Sequence, residues 1–123
     1  MAGRLKVKSY KDLDAYKKSY EVAKQVYNIT KSFPKEELYG LSAQTRRCAV
    51  SVPSNIAEGY MRGSKEYIQF LKIALGSAAE LETQLSLSRD LGFCKDSQFE
   101  EAYQLNQEVI KLLKTYINKL SNR

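Results

Sequence analysis

Histidine is absent from this chain of 123 residues. That removes the side chain most used for proton transfer and metal ligation near neutral pH. Ser–His and Cys–His nucleophile arrangements are excluded with it. Tryptophan is also absent, and cysteine is limited to Cys48 and Cys94. With no CxxC spacing and no imidazole beside them, these thiols read as small hydrophobes in a reducing compartment. Sequence separation alone leaves a disulfide between them open. No apolar run approaches the roughly 20 residues that span a bilayer. The opening MAGRLKVKSYKD lacks the apolar core of a signal peptide. A cytoplasmic protein is expected, with no membrane partner, no cofactor, no metal and no enzymatic activity.

What is present suits one domain over residues 1–123. The hydrophobic fraction is 43%, and the net charge is +6 from 20 basic and 14 acidic side chains. A core of ordinary size is possible at this length, with room for further stability from oligomerisation. The charge is unevenly placed. Residues 1–18 hold six basic and two acidic side chains, and residues 109–123 hold Lys111, Lys114, Lys119 and Arg123 with no acid. Basic ends of this kind bind polyanions. They also complement a helix C-terminus and keep a surface solvated.

Periodicity predicts four helices, over about 10–33, 41–62, 65–91 and 97–121. Ser9 with Asp12 gives a capping-box spacing at the first start. Leu13, Tyr16, Tyr20, Ala23, Tyr27 and Thr30 form one row by steps of three and four, and Ala15, Val22, Val26, Ile29 and Phe33 form a second. Both rows are expected to be packed, the tyrosine rings in the core. Phe33-Pro34 ends the pattern. Pro53 lies inside the second helix and predicts a kink there, since proline removes one hydrogen bond and crowds the carbonyl of Ala49. Gly59 and Gly63 loosen the end of that helix, and Ser64 is placed as the cap of the next. In the third, Gly76-Ser77-Ala78-Ala79 offers a small patch for close backbone approach, and Leu91-Gly92 is a stop. Ser97-Gln98-Phe99-Glu100 has capping-box spacing for the fourth, whose stripe contains one polar member, Asn106. The fold class is all-α: an antiparallel up-down-up-down four-helix bundle, helix 2 kinked at Pro53.

The polar residues of helix 2 are the unusual feature. Arg47, Ser51, Asn55 and Glu58 follow at spacings of 4, 4 and 3 and share a face. Arg46 lies beside them, and Glu80 on helix 3 is positioned to reach back. A buried polar network or oligomer interface of Arg46, Arg47, Ser51, Asn55, Glu58 and Glu80 is the structural expectation. Phosphate contact by the two arginines is the functional one. Tyrosine accounts for nine residues, against four phenylalanines. Tyr10, Tyr39 and Tyr60, near helix ends, are placed to pack or to stack on bases. Gly59-Tyr60-Met61-Arg62-Gly63 lacks the lysine and Ser/Thr order of a phosphate loop and reads as a turn.

These residues carry a family resemblance. YGLSAQTRRCAVSVPSNIAEGYMRGSKEYIQFLKIALGSAAELETQL, from Tyr39 to Leu85, resembles the small four-helix-bundle proteins encoded within intervening sequences of bacterial 23S rRNA genes, often labelled S23-like. YKDLDAYKKSYEVAKQVYNITKSFP, from Tyr10 to Pro34, resembles their first helix. The most specific segments are Gln44-x-Arg46-Arg47, Pro53-Ser54-Asn55-Ile56-Ala57-Glu58-Gly59, and Gly76-Ser77 with Glu80-Leu81-Glu82. Tyr16 stands where the family favours tryptophan, and Cys48 where it favours alanine. The resemblance implies a homo-oligomer, a pentameric ring or barrel. It extends to relatives that act as the accessory variability determinant of diversity-generating retroelements, binding nucleic acid and a reverse transcriptase.

Together, charge and resemblance lead to a non-enzymatic homo-oligomer that binds RNA or an RNA–DNA hybrid, with a reverse transcriptase as a further partner. The expected nucleic-acid contacts are Arg46, Arg47, Lys11, Lys17, Lys18, Arg62, Lys65, Lys111, Lys114 and Lys119. The alternative is a structural ring that docks one protein partner without nucleic acid.

Overall fold

A computed structural model describes residues 7–122. Arg4, Lys6 and Arg123, counted above in the basic ends, lie outside these residues. Four helices account for most of the rest: α1 (Asp14–Thr30), α2 (Leu41–Arg62), α3 (Ser64–Asp90) and α4 (Asp96–Ser121). Among the described residues there is no strand. Each helix packs on its successor, and α4 closes against α1. Cross-helix bonds fix the order: Arg46 on α2 meets Thr30 on α1, Ser51 on α2 meets Ser77 on α3, and Asn106 on α4 meets Ala78 on α3.

The core follows the periodic apolar positions. Val22, Val26 and Ile29 of α1, Val52 and Ile56 of α2, Leu71, Leu81 and Leu85 of α3, and Val109 and Leu113 of α4 are all buried. Leu and Val on one stripe per helix place four such stripes against one axis, and each side chain removed from water stabilises the bundle by about 1.5–3 kcal/mol before entropy is counted. Asn106 is the buried amide of this interior, 1% exposed beside the equally buried hydroxyls of Thr45 and Ser88, and its Nδ2 donates to the Ala78 carbonyl at 3.0 Å. A buried amide is tolerable only with such a partner.

Several helix ends differ from the sequence expectation. Ser9 and Asp12 do form a capping box, with Asp12 Oδ2 accepting from the amides of Lys8 at 2.8 Å and Ser9 at 3.2 Å. They cap a separate 3-10 turn, Tyr10–Asp12, and α1 begins afresh at Asp14 because Leu13 is extended, with ψ 131. The helix ends at Thr30, whose hydroxyl turns back to the Val26 carbonyl at 2.8 Å. Phe33 lies beyond it but is still buried. Pro53 sits inside α2, which continues through it to Arg62. Gly63, with φ 103, holds the joint to α3 and takes the cap position expected of Ser64, which is the first residue of α3 instead. Gly92, φ 75, stops α3 as its position in the sequence implies. At α4 the cap runs from Gln98 Oε1, accepting from the Lys95 amide at 3.3 Å.

The two glycine-containing segments exchange roles. Gly76 is exposed, with nothing within 4 Å of where a Cβ would stand. Gly59, expected only to loosen the end of α2, is the buried point of close approach, against Phe70 and Tyr67 of α3.

Candidate functional site

The polar residues of α2 separate into three groups. Ser51 and Asn55 join Ser77 in a half-buried cluster: the two serine hydroxyls are 2.8 Å apart, and Asn55 Nδ2 donates to the Ser51 carbonyl at 2.8 Å and to its hydroxyl at 2.9 Å. Arg46 turns the other way, to α1. Its Nε donates to Thr30 Oγ1 at 2.8 Å, and its guanidinium lies 5.0 Å from the centroid of the Tyr27 ring. Glu58 is exposed and pairs with Arg62 at 2.9 Å, one helical turn on. Arg47 and Glu80 are exposed and make no ion pair among the described residues. A single buried network of all six residues is therefore not formed within the chain. Two separations explain this: Arg46 lies about 100° around the helix from Arg47, and Arg47 and Glu58 stand about 16 Å apart along the axis, with Glu58 held by Arg62 instead.

The ten basic residues expected to bind nucleic acid also divide. Arg62 is held by Glu58 and Glu66, each at 2.9 Å, and these carboxylates, Glu66 first, raise its already high pKa. Lys18 bridges α1 to α4 through Glu108 at 2.9 Å, and that hydrogen bond raises its pKa. Lys11, Lys17, Lys65, Lys111, Lys114 and Lys119 are exposed and make no ion pair among the described residues. Lys111 and Lys114 share a shallow surface on α4 with Glu108. The cations are thus spread over the turn before α1 and all four helices rather than gathered at one point.

Tyrosine placement departs most from the periodic reading. Tyr20 is 51% exposed and Tyr27 46%, although both fall on a row expected to be packed. The row through Val22, Val26 and Ile29 faces the bundle axis, whereas the tyrosine row is buried only at its ends, Leu13 and Thr30. The tyrosine row flanks the seam between α1 and α2 and leaves there an open groove of about 500 Å³, walled also by Val50, Pro53 and Ala57. Tyr39 is 92% exposed. Six tyrosines form a ring chain at one end of the bundle: Tyr20, Tyr16, Tyr10, Tyr60, Tyr67 and Tyr116, each 5.0–6.4 Å from the next, while Tyr103 packs on Phe99. Burial dominates inside this chain and pushes the Tyr67 hydroxyl up to about 12. That hydroxyl is fully enclosed and has no hydrogen-bond partner among the described residues.

Both thiols are free. Burial pushes the pKa of Cys48 and of Cys94 up, which leaves them protonated and poorly nucleophilic at neutral pH. Among the described residues no group of three or more Cys, Asp or Glu side chains is placed to hold a metal ion, and no helix is long and apolar enough to cross a membrane. Lys24 and Lys31, exposed on the same side of α1 as Tyr20 and Tyr27, were not among the expected contacts. Their spacing from Lys17, seven and fourteen residues, was the signal available.

Fold and surface define a small all-α protein built as a four-helix bundle with a basic, tyrosine-rich exterior. The sequence profile of the 23S rRNA-intervening sequence proteins matches residues 11–115, and the chain belongs to that family. Its structure is similar to the crystal structure of a protein of unknown function from the S23 ribosomal protein family of Bacteroides thetaiotaomicron. The two are 29% identical, with a TM-score of 0.76 over 85% of this chain and 95% of the other. Among curated proteins none matches the chain.

Proposed function

We propose that this protein is a non-enzymatic, homo-oligomeric nucleic-acid-binding protein acting on RNA or on an RNA–DNA hybrid. The observation that supports the reading most is the state of its cations. Of ten basic residues named from the sequence, only Lys18 and Arg62 are engaged by carboxylates among the described residues, and the chain as a whole carries +6. Free cations on all four helices suit a polyanion, because each phosphate neutralised releases condensed counterions. Membership in a family named for an rRNA insertion is consistent with this. Assembly is supported by Ile73, Leu87 and Leu91, each about half exposed along and just beyond α3, which leave apolar surface uncovered by the chain itself. In a ring, five copies of the basic surface would add into one field. A pentamer, and service to a reverse transcriptase in a diversity-generating retroelement, belong to the same reading through the resemblance.

The test is binding to labelled RNA, DNA and hybrid across a salt series, with mass by light scattering. Affinity that falls steeply from about 50 mM salt upward is expected. Absence of binding at that low salt rejects the reading. The same apolar surface on α3 favours the alternative, a structural module that docks a protein. A partner retained after nuclease treatment, from a protein that carries no nucleic acid before it, selects that alternative.

A further inference from the structure

Three depressions on the α1/α2 side of the bundle merge into one trough. The first is lined by Lys11, Tyr16, Lys17 and Tyr20. The groove of about 500 Å³ shares Tyr16 and Tyr20 with it and adds Lys24 and Tyr27. A third shares Tyr27 and adds Tyr39, Arg46 and Arg47. Every charged side chain lining the three is a cation, and no carboxylate lines any of them. Two acids act from outside the lining: Glu21 on Lys24, through an ion pair at 3.0 Å, and Asp12, whose pKa is lowered by the Lys8 and Ser9 amides and then by Lys17. That leaves Lys11, Arg46 and Arg47 as lining cations without an ion pair among the described residues.

The order of groups along α1 is regular. Lys17, Tyr20, Lys24 and Tyr27 follow at steps of three and four and are all exposed. At the helical rise of about 1.5 Å per residue, this alternation of ring and cation covers roughly 15 Å. The exposed rings sit under cations: Lys24 lies 5.7 Å from the Tyr20 centroid and Arg46 lies 5.0 Å from that of Tyr27.

We propose that this trough binds single-stranded nucleic acid, its tyrosine rings stacking unpaired bases and its flanking cations holding the phosphates. The inference rests on the nucleic-acid-binding reading and narrows it to a site and to unpaired strands. A duplex keeps its bases stacked on one another and would meet only the cations, leaving exposed rings without use. Alternating rings and cations with no acid are the layout of a single-strand platform. A second copy of the chain fits less well. The apolar strip of α3 is flanked by Lys65, Lys72 and Arg89 as well as by Glu66, Glu80 and Asp90, so it offers no matching negative face.

Fluorescence anisotropy tests this with a labelled oligouridylate of about 15 nucleotides, near the upper site size of a single module, and an RNA duplex of equal length. The wild-type protein is expected to bind the single strand about tenfold more tightly or better. Tyr20→Ala and Tyr27→Ala each weaken single-strand binding by about tenfold, the loss of one stacked base. Tyr20→Phe and Tyr27→Phe, which restore the ring, restore the affinity. Lys17→Gln and Lys24→Gln each lower the salt slope by about 0.7. Equal or tighter duplex binding overturns the proposal. So do alanine variants that bind like the wild type while losses appear on Lys111→Gln and Lys114→Gln, an outcome that leaves the broader nucleic-acid reading intact. Failure of the wild type to bind either probe rejects both. A fall in oligomer mass on Tyr20→Ala or Tyr27→Ala, with affinity per subunit unchanged, assigns the trough to subunit contact and also overturns it. Helicity and melting temperature of each variant are measured alongside. The phenylalanine variants carry the comparison if an alanine variant unfolds.

Discussion

A Cβ placed on Gly59 would stand 2.5 Å from the Cβ of Phe70, so α2 and α3 meet at that residue with no room for a methyl group. The approach is tight because Gly59 is buried and its neighbour is a half-buried ring fixed on another helix, not the loose end of a long side chain. Gly59→Ala is expected to destabilise the bundle by about 1–3 kcal/mol through overpacking. Gly76→Ala, in open space inside α3, is expected to stabilise it by about 0.5–1 kcal/mol through helix propensity alone. Urea midpoints of the two variants should therefore move in opposite directions. A neutral Gly59→Ala would show that α3 can slide away.

The adjacent arginines of α2 should also behave differently. Arg46→Ala removes a hydrogen bond to Thr30 and a guanidinium over Tyr27, an expected loss of about 1–2 kcal/mol. Arg47 is exposed and without an ion pair among the described residues, so Arg47→Ala should change stability by less than about 0.5 kcal/mol. Thermal denaturation of the two monosubstituted proteins measures this, and equal losses would contradict the placement of Arg46 against α1.

Asn106 links α4 to α3 from inside the core. Asn106→Ala removes its bond to the Ala78 carbonyl and opens a small cavity, for an expected cost of about 1–3 kcal/mol. Hydrogen exchange should rise most in the middle of α3 and α4. A loss below about 0.5 kcal/mol, by chemical denaturation, would mean that the amide is replaceable by packing.

The enclosed Tyr67 hydroxyl makes a prediction in alkali. Its pKa is pushed up to about 12, chiefly by burial, while the unfolded chain ionises near 10. Between these values the folded state holds more protons than the unfolded state, so stability falls as pH rises from about 10 to 12 and is unaffected below. The loss should reach at most about 2 kcal/mol. Tyr67→Phe should flatten that slope, and at neutral pH it should be neutral or slightly stabilising, since the hydroxyl it removes has no partner among the described residues. An unchanged alkaline slope in this variant would place the responsible group elsewhere, Tyr116 being next in burial.

The fold was readable because burial in a bundle follows helical period, and Val22, Val26, Leu81, Leu85, Val109 and Leu113 obey it. The Glu58–Arg62 pair was equally available as an i, i+4 spacing, but Glu58 was assigned to a buried network on the strength of its neighbours. What period cannot tell is which of two adjacent apolar rows faces the axis. Tyr16 packs against the core as its period implies, whereas Tyr20 and Tyr27 on the same row do not, and the cations that alternate with those two are the contrary sign. Close approach at Gly59 rather than Gly76 was also hidden, because it depends on how α2 and α3 are rotated against each other. The partner of Arg46, a threonine sixteen residues earlier, required the same knowledge.

Every one of the four helices, or the turn that precedes them, contributes to the ring chain that runs from Tyr20 to Tyr116. With no tryptophan in the protein to absorb or collect the excitation, the ultraviolet signal belongs to tyrosine, and much of it to this one end of the bundle. Rings so close share excitation, and their near-ultraviolet circular dichroism depends on mutual angles. The native protein thus contains its own optical gauge of whether its helices are docked, and docking can be followed without attaching any label.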